Sequence, residues 1–515
     1  MPLLPLVPWV AILLCFSRFA VAGPQEGIEH LEQLMFESEY LAGPVDFPCF
    51  GRENTTTAAQ WLRLAYHDMS THNVDDGSGG LDASIIYELD RPQNVGVGMR
   101  ESVEELIPFM HPDVSIADVF AFAAVRAIDN CGNGPQIPLR GGRIDATAAG
   151  PETVPEPHQD FESHLESFRR QGFTQSEMIA LIACGHSVGG VRRDDFPDIV
   201  KDENVDVQLF DGTTPFDHAV ITGYLDGTTP NPLVVGSNST TNSDLRIFSS
   251  DGNATMQGTC GELFERMINT VPANVVLTDV VKPMPFKITR NQLSPSANSN
   301  GTFRFNVQLR VIGEENPNRK VTLYWNDREG ASVCPTSGCT AAPWAGVYNR
   351  ALGLARERYG VPGFDSYSFD ASVDMKGSIS KFWFEVNEGD GSAPRLDNLG
   401  KTVPQEKVLY DPSRTERIVG GTQGLQALPV IWNLVVAVRG DASSKVSVLT
   451  WEPGNGTHPV PPRNRVHLTP DSRHAPTSGY TFFSANISEG FNFFDIDAEI
   501  GGEKIRQTTV AALLS

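Results

Sequence analysis

Arg63 and His67 stand four residues apart in the run Trp61-Leu-Arg-Leu-Ala-Tyr-His-Asp68. On a helix, that spacing puts both side chains on one face. A fixed cation beside a neutral imidazole suits cleavage of a peroxide O–O bond. One group takes and returns a proton, and the other stabilises the charge that develops on the leaving oxygen. A second histidine, His186, lies in Ala-Cys-Gly-His-Ser-Val-Gly-Gly. Paired with the first segment, it reads as the axial ligand of a haem iron. The RxxxHD pattern is weak alone, and its weight comes from what accompanies it in order. Asn94 follows the first histidine, Ser187 adjoins the second, and Asp251 comes later.

Together these segments resemble the secreted fungal members of the plant-type haem peroxidase superfamily, over about residues 30–272, and the chain looks like the ascomycete hybrid peroxidases. The resemblance implies that Arg63 and His67 are the distal pair and Asn94 the distal asparagine. The Asn94 amide oxygen would accept the Nδ1 proton of His67 and leave Nε2 facing peroxide. Glu88 would anchor that asparagine. His186 would ligate haem b, with Asp251 as the proximal acceptor of its Nδ1 proton. Two calcium ions are implied, one at Asp68, Gly80, Asp82 and Ser84 and one at Ser187, Asp211, Thr213 and Asp217. Cys49 and Cys131 match a family disulfide. Cys184 and Cys260 have no counterpart in the lignin-degrading branch, and a bridge between them would tie the proximal helix to the segment after Asp251.

Departures from the family pattern narrow the substrate. Tyr66 stands where secreted relatives usually carry phenylalanine, and Phe210 where some intracellular ones carry a radical-bearing tryptophan. The acidic positions of manganese-oxidising relatives hold Thr56, Gln60 and Arg192, so a hard divalent cation finds no carboxylates. Leu181 replaces the exposed tryptophan of lignin oxidisers. The expected donors are therefore small phenols that reach the haem edge past Pro155-Glu-Pro-His158.

The elements that must position these residues follow from periodicity. Helices are expected over 29–39, 57–68 and 115–129, the last with Ser115 and Asp118 as a capping box. Another starts at Thr174 and Glu177 and carries His186 near its end. Beyond about Pro272, alternating runs such as 302–311 and 320–325 read as strands. Segments 430–440, 446–451 and 480–487 echo 302–311, 320–325 and 367–373, which indicates two repeated modules. The expected fold is a mainly α-helical haem peroxidase domain over residues 23–280, followed by two β-sandwich-like modules over 281–400 and 401–515. The helical part is expected to work when cut near residue 280, exposing at most an apolar face. Cys334 and Cys339 would close a small loop.

Residues 1–22 read as a cleaved signal peptide, since the apolar run is short and broken by prolines. Cleavage leaves six of the seven cysteines, an even number in an oxidising compartment. Sequons at Asn54, Asn238, Asn253, Asn300, Asn455 and Asn486 agree with a secreted, extracellular glycoprotein. A formal charge of −23 argues against nucleic acid and anionic membrane as partners. The leading function is therefore reduction of hydrogen peroxide with one-electron oxidation of small donors. The alternative is a wall or matrix adhesion protein with a vestigial haem domain. Its β modules would bind polysaccharide through Trp325, Trp344, Trp383, Trp432 or Trp451. The remaining cysteines are too few for the familiar cysteine-rich wall-binding module.

Overall fold

The computed structural model describes residues 24–37, 51–52, 55–132, 134–253, 260–296, 301–330, 339–351, 353–418, 422–423, 426–427, 431–452, 454, 460–488 and 493–511. Its N-terminal part is helical: α1 (Pro24–Glu37), α2 (Thr57–Met69), α3 (Val97–Leu106), α4 (Ile116–Asp129), α5 (Phe161–Arg170), α6 (Gln175–His186), α7 (Ala219–Asp226), α8 (Pro232–Val235), α9 (Ser243–Phe248) and α10 (Cys260–Asn269). Two short hairpins accompany them, β1–β2 (Gly51–Arg52, Thr55–Thr56) and β3–β4 (Gly190–Arg192, Val207–Leu209).

Helix α4 is buried along its whole length and is mostly apolar, so it forms the centre against which α2 packs. Thr56 caps α2 by accepting the Ala59 N–H. Thr174 and Glu177 form the complete capping box that starts α6. At α4 only half of the expected box exists. Ser115 accepts from Asp118 N, but the Asp118 carboxylate turns away to the backbone N–H groups of Gly142 and Arg143 and to the Arg143 guanidinium. A buried arginine needs that charge more than the helix end does.

The next module is a sandwich of two antiparallel sheets. One has the order β5 (Phe286–Pro295), β6 (Thr302–Ile312), β10 (Gly363–Asp374), β9 (Ala345–Arg350), and the other β12 (Arg395–Asp397), β11 (Lys381–Asn387), β7 (Lys320–Asn326), β8 (Thr340–Ala341). Alternate residues of β6, from Phe303 to Leu309, fill the core against Leu323, Phe382 and Phe384. A short helix, α11 (Gly353–Glu357), joins β9 to β10.

The last module comprises β13 (Val408–Tyr410), β14 (Glu416–Ile418), β15–β16 (Thr422–Gln423, Gln426–Ala427), β17 (Ile431–Val438), β18 (Lys445–Trp451), β19 (Arg463–Pro470), β20 (Thr481–Ser488), β21 (Phe493–Ile500) and β22 (Glu503–Ala511). Its main sheet runs β13-β17-β20-β19-β18-β21-β22. β19 pairs with β18 along most of its length and with β20 at Thr469 and Pro470, so one strand belongs to both layers. β13 comes against β22, which nearly closes the sheet into a barrel. The sequence repeat has its counterpart in topology: β6 pairs with β10 and β7 with β11, as β17 pairs with β20 and β18 with β21.

The face between the helical part and the β modules is ionic and aromatic rather than plainly apolar. Arg310 interrupts the alternation of β6 because it points at α1. It donates to Glu32 at 2.8 and 2.9 Å and also to Glu37. Lys287 of β5 lies 2.6 Å from Glu32 and 3.1 Å from Glu37, and all four side chains are buried. Burial works against the Glu32 carboxylate, but Lys287 and Arg310 more than offset it and hold its pKa below the usual value. Nearby, Arg358 and Tyr359 both bond to Asp129 at 2.9 Å. On the second module, Thr509 donates to Asp113 at 2.7 Å, and the Phe493 ring meets His111 edge-on at 4.4 Å.

A cut near residue 280 therefore removes the cationic partners of Glu32 and Glu37 and uncovers an ionic and aromatic face in place of the plainly apolar one expected. Arg310→Ala is expected to lower stability by about 3–5 kcal/mol, the cost of leaving a buried charge uncompensated. Truncating Arg304, whose pair with Asp370 is largely exposed, should cost about 1 kcal/mol or less. Thermal unfolding of the two variants provides the comparison.

Candidate active site

The capping of α2 sets the phase of Arg63 and His67, and both line a single cavity of about 790 Å³. His67 Nδ1 lies 2.8 Å from Asn94 Oδ1. Because Asn94 Nδ2 already donates to the Glu88 carbonyl at 3.0 Å, its Oδ1 is held as the acceptor. The imidazole proton then sits on Nδ1, and Nε2 keeps its lone pair. Glu88 does anchor the asparagine, but through its backbone carbonyl. Its carboxylate accepts from Gly150 N at 2.7 Å and pairs with Arg91 at 3.0 Å. Burial, then the Arg63 charge, hold His67 at a pKa of about 3, so the ring is neutral over the ordinary range.

Arg63 donates to the Val95 carbonyl at 3.0 Å and lies over the Phe196 ring at 5.6 Å. Burial lowers its pKa to about 10 against the opposing effect of Asp195, and it stays a cation. Gly96, with φ of 109°, makes room for this arrangement. A Cβ there would come 3.0 Å from Asp195 Oδ2 and 3.5 Å from Arg63 Nη1. Tyr66 also lines the cavity. Its hydroxyl reaches Gln171 at 3.5 Å and its ring stacks on Phe168, while burial pushes the phenol pKa up.

His186, the last residue of α6, lines the same cavity. Its Nδ1 lies 2.8 Å from Asp244 Oδ2, and Phe210 stacks on the ring with centroids 4.0 Å apart and planes at 10°. The proximal carboxylate is thus Asp244 and not Asp251, which corrects the expectation from sequence. Asp244 sits in the first turn of α9, buried, where Asn231 Nδ2 also donates to it at 2.8 Å. Asp251 ends the one-turn 3₁₀ helix Ser249–Asp251, two turns further along the chain. Order along the chain favours neither aspartate. Each stands in the first turn of a short helix, so local sequence does not separate them either.

Cys184 and Cys260 are bonded, with Cα atoms 5.7 Å apart, and clamp α6 to α10. Cys131 and Cys339 are also disulfide-bonded, and their expected partners Cys49 and Cys334 lie outside the described residues.

On the distal side, the Asp68 oxygens accept the N–H groups of Ala83 at 2.7 Å and Ile85 at 2.9 Å, and Asp82 accepts from Ser84 N at 3.1 Å. Burial and then neighbouring Asp82 raise the Asp68 pKa well above the usual value, and Ser84 Oγ is buried without a partner. Gly80 adjoins this loop, donating to Thr71 Oγ1 at 3.1 Å. On the proximal side, Thr213 Oγ1 lies 3.0 Å from Asp211 and 3.2 Å from Asp217. Asp211 Oδ2 is buried without a partner, and Ser187 Oγ donates to the Cys184 carbonyl at 2.7 Å. Among the described residues, no three His, Cys, Asp or Glu side chains converge as a metal cluster, so hydroxyls and carbonyls would have to complete either set.

A family model described as Peroxidase matches residues 49–259. Putative L-ascorbate peroxidase 6 of Arabidopsis thaliana is 39% identical over 141 residues, 26% of this chain and 41% of its own length. Manganese peroxidase 2 of Phlebia radiata is 35% identical over 169 residues, 31% of this chain and 41% of its own. Residues 49–259 therefore form a domain of the plant-type peroxidase superfamily. A WSC domain-containing protein of Arthroderma benhamiae is 32% identical over 534 residues, which covers 96% of this chain and 68% of that protein. The peroxidase match ends before the first β module, whereas the Arthroderma match continues through both. Against the two plant and fungal peroxidases, the chain spans less than half of their length.

Among residues that sequence reading passed over, Asp244, Asn231 and Asp195 now stand in this peroxidase site. Asp244→Ala would strand the Nδ1–H of His186 and the amide of Asn231. It is expected to destabilise the cofactor-free protein by about 1–3 kcal/mol, and Asp251→Ala by less. Thermal melts of both variants distinguish the two aspartates.

Proposed function

We propose that this chain is a secreted, extracellular haem b peroxidase that reduces hydrogen peroxide and oxidises small phenolic donors in one-electron steps. The observation that carries the reading is the single cavity lined by both histidines, with each Nδ1 engaged and each Nε2 left for the cavity. Haem fits what is there. The volume lies within the ~300–1,000 Å³ of cofactor sites. Gly185 and Gly189 line the wall, with open space before Gly185, and Leu62, Ile182, Leu233 and Phe264 add apolar surface.

His186 would hold the iron, which supplies the site where peroxide binds and takes up the oxidising equivalents. The protein's own contribution is positional. His67 Nε2 takes a proton from the near peroxide oxygen and returns it to the far one, which leaves as water. The Arg63 cation stabilises the charge that builds on that leaving oxygen. Asp244 makes the proximal imidazole a stronger electron donor. Asn94 keeps the distal ring in the one tautomer that can act.

Donor choice follows from the cavity wall. Thr56 is occupied in capping α2 and in a bond to the Val188 carbonyl, and Gln60 and Arg192 line the cavity, so manganese has no carboxylate set at these three positions. Leu181 is buried, and Trp61 is buried with its indole N–H on Glu105, so neither offers a surface route for electrons. Pro155 to His158 line the cavity with His158 well exposed, which suits a small donor.

Polysaccharide binding by the β modules is a secondary role favoured by one observation. Trp344 is 69% exposed, while Trp325, Trp383, Trp432 and Trp451 are buried. The complete distal and proximal pairs count against a vestigial haem domain.

Calcium would be held by Asp68, Gly80, Asp82 and Ser84, and by Ser187, Asp211, Thr213 and Asp217. The partnerless buried oxygens of Ser84 and Asp211 fit that role.

His186→Ala is expected to abolish the normal haem absorption band. His67→Leu should retain the band and slow the reaction with peroxide by at least ~100-fold in stopped flow. A rate within a few-fold of the parent rejects His67 as the base. Calcium chelation is expected to lower the melting temperature and shift the iron spin state, and metal analysis of an active sample should return calcium.

A further inference from the structure

One sequon lies at the cavity. Asn238 begins the triplet Asn238-Ser239-Thr240, and both Asn238 and Thr240 contribute to the cavity wall. Asn238 Oδ1 accepts the Thr240 N–H at 3.2 Å, closing an Asx turn, while Ser239 and Thr240 are exposed. Among the described residues, Asn238 Nδ2 has no hydrogen-bond partner. Arg246 fastens this triplet to the donor side of the cavity. Its guanidinium donates to the Ser239 carbonyl at 3.2 Å, to Pro157 at 2.5 Å and to Gln159 at 2.8 Å. The sequon is thereby held beside the Pro155–His158 lip, and the atom that a glycan would occupy is free.

We propose that Asn238 carries an N-linked glycan that stands at the cavity mouth and selects donors by size, an inference that rests on the secreted-peroxidase reading. In the attachment step, Nδ2 bonds to the anomeric carbon of an oligosaccharide carried on a lipid pyrophosphate. The bond from that carbon to the pyrophosphate oxygen breaks, the amide loses one proton, and the lipid pyrophosphate leaves. A bulky, hydrated chain on this rim leaves hydrogen peroxide free to pass and obstructs a large donor. The other described sequons lack this placement. Asn486 lies on β20, where it accepts from Asn433 at 2.7 Å, and Asn253 follows α9 and accepts from Tyr224 at 3.2 Å.

The test uses full-length holoenzyme secreted from a eukaryotic host. Glycopeptide mass mapping should find Asn238 occupied. Thr240→Ala, which removes the sequon but keeps the asparagine, Asn238→Gln, and enzymatic deglycosylation of the folded parent should each raise kcat/KM for a bulky dye by ~5-fold or more. In the enzymatically deglycosylated parent, the rate with hydrogen peroxide and kcat/KM for a small phenol should stay within about twofold of the glycosylated enzyme. An unmodified Asn238 overturns the proposal, as do equal dye rates in the glycosylated parent and the deglycosylated enzyme. If no sequon is modified, the secreted reading falls as well. If neither parent nor variants reduce peroxide, the peroxidase reading fails, and the gate with it.

Discussion

Each of the two cavity histidines commits its Nδ1 to a fixed acceptor, Asn94 for His67 and Asp244 for His186, and the fold is arranged to hold those acceptors still. The acceptors differ in kind, and so do their consequences. A neutral amide selects a tautomer without adding charge, so His67 remains a weak, neutral base beside Arg63. A carboxylate adds charge, which strengthens electron donation from His186. Both acceptors are themselves held from behind, Asn94 by the Glu88 carbonyl and Asp244 by the Asn231 amide. Removing either backing group would free the acceptor to rotate, and the histidine would lose its orientation with it.

The distal half was legible because its geometry is local. An i, i+4 pair on an α-helix has its relative position set by the helix itself, and the cap at Thr56 sets where that helix begins. The proximal half was legible only as far as His186. Its partner comes from α9, nearly sixty residues away, and several acids in that stretch offered the right chemistry. Chain order cannot rank them, since a loop of that length can bring any of them to the ring. Asp244 wins because α8 and α9 pack together and bring the Asn231 amide within reach of the same carboxylate.

The same limit explains what was read and missed in the β region. Alternation identified the strands of β6 and β17, and their echo identified a repeat, since period-two burial is a property of the strand alone. It did not anticipate Arg310, which occupies a strand position yet is fully buried against Glu32 and Glu37 of α1. Nor did it anticipate β19 serving two layers, which depends on where the strand bends rather than on its residues' polarity. A buried four-charge cluster is a poor source of net stability compared with packed apolar side chains, but it penalises any docking that leaves one charge unpaired. It therefore specifies the orientation of the sandwich on α1.

Asp68 joins these levels. It follows His67 directly, and both of its oxygens are bonded to backbone N–H groups of the next loop, at Ala83 and Ile85. The end of α2 and the loop carrying Asp82 and Ser84 are consequently one unit, with Asn94 only ten residues beyond Ser84. Burial raises the pKa of both carboxylates in that unit, with Asp82 adding to the rise at Asp68 and Glu88 to the rise at Asp82. Held ionised together they would repel, whereas a bound cation would turn the same pair into a clamp. The geometry of His67 is thus coupled to the charge state of a loop that does not line the cavity. A substitution at Asp82 should be felt at the distal histidine through Asp68 before it is felt anywhere else in the cavity.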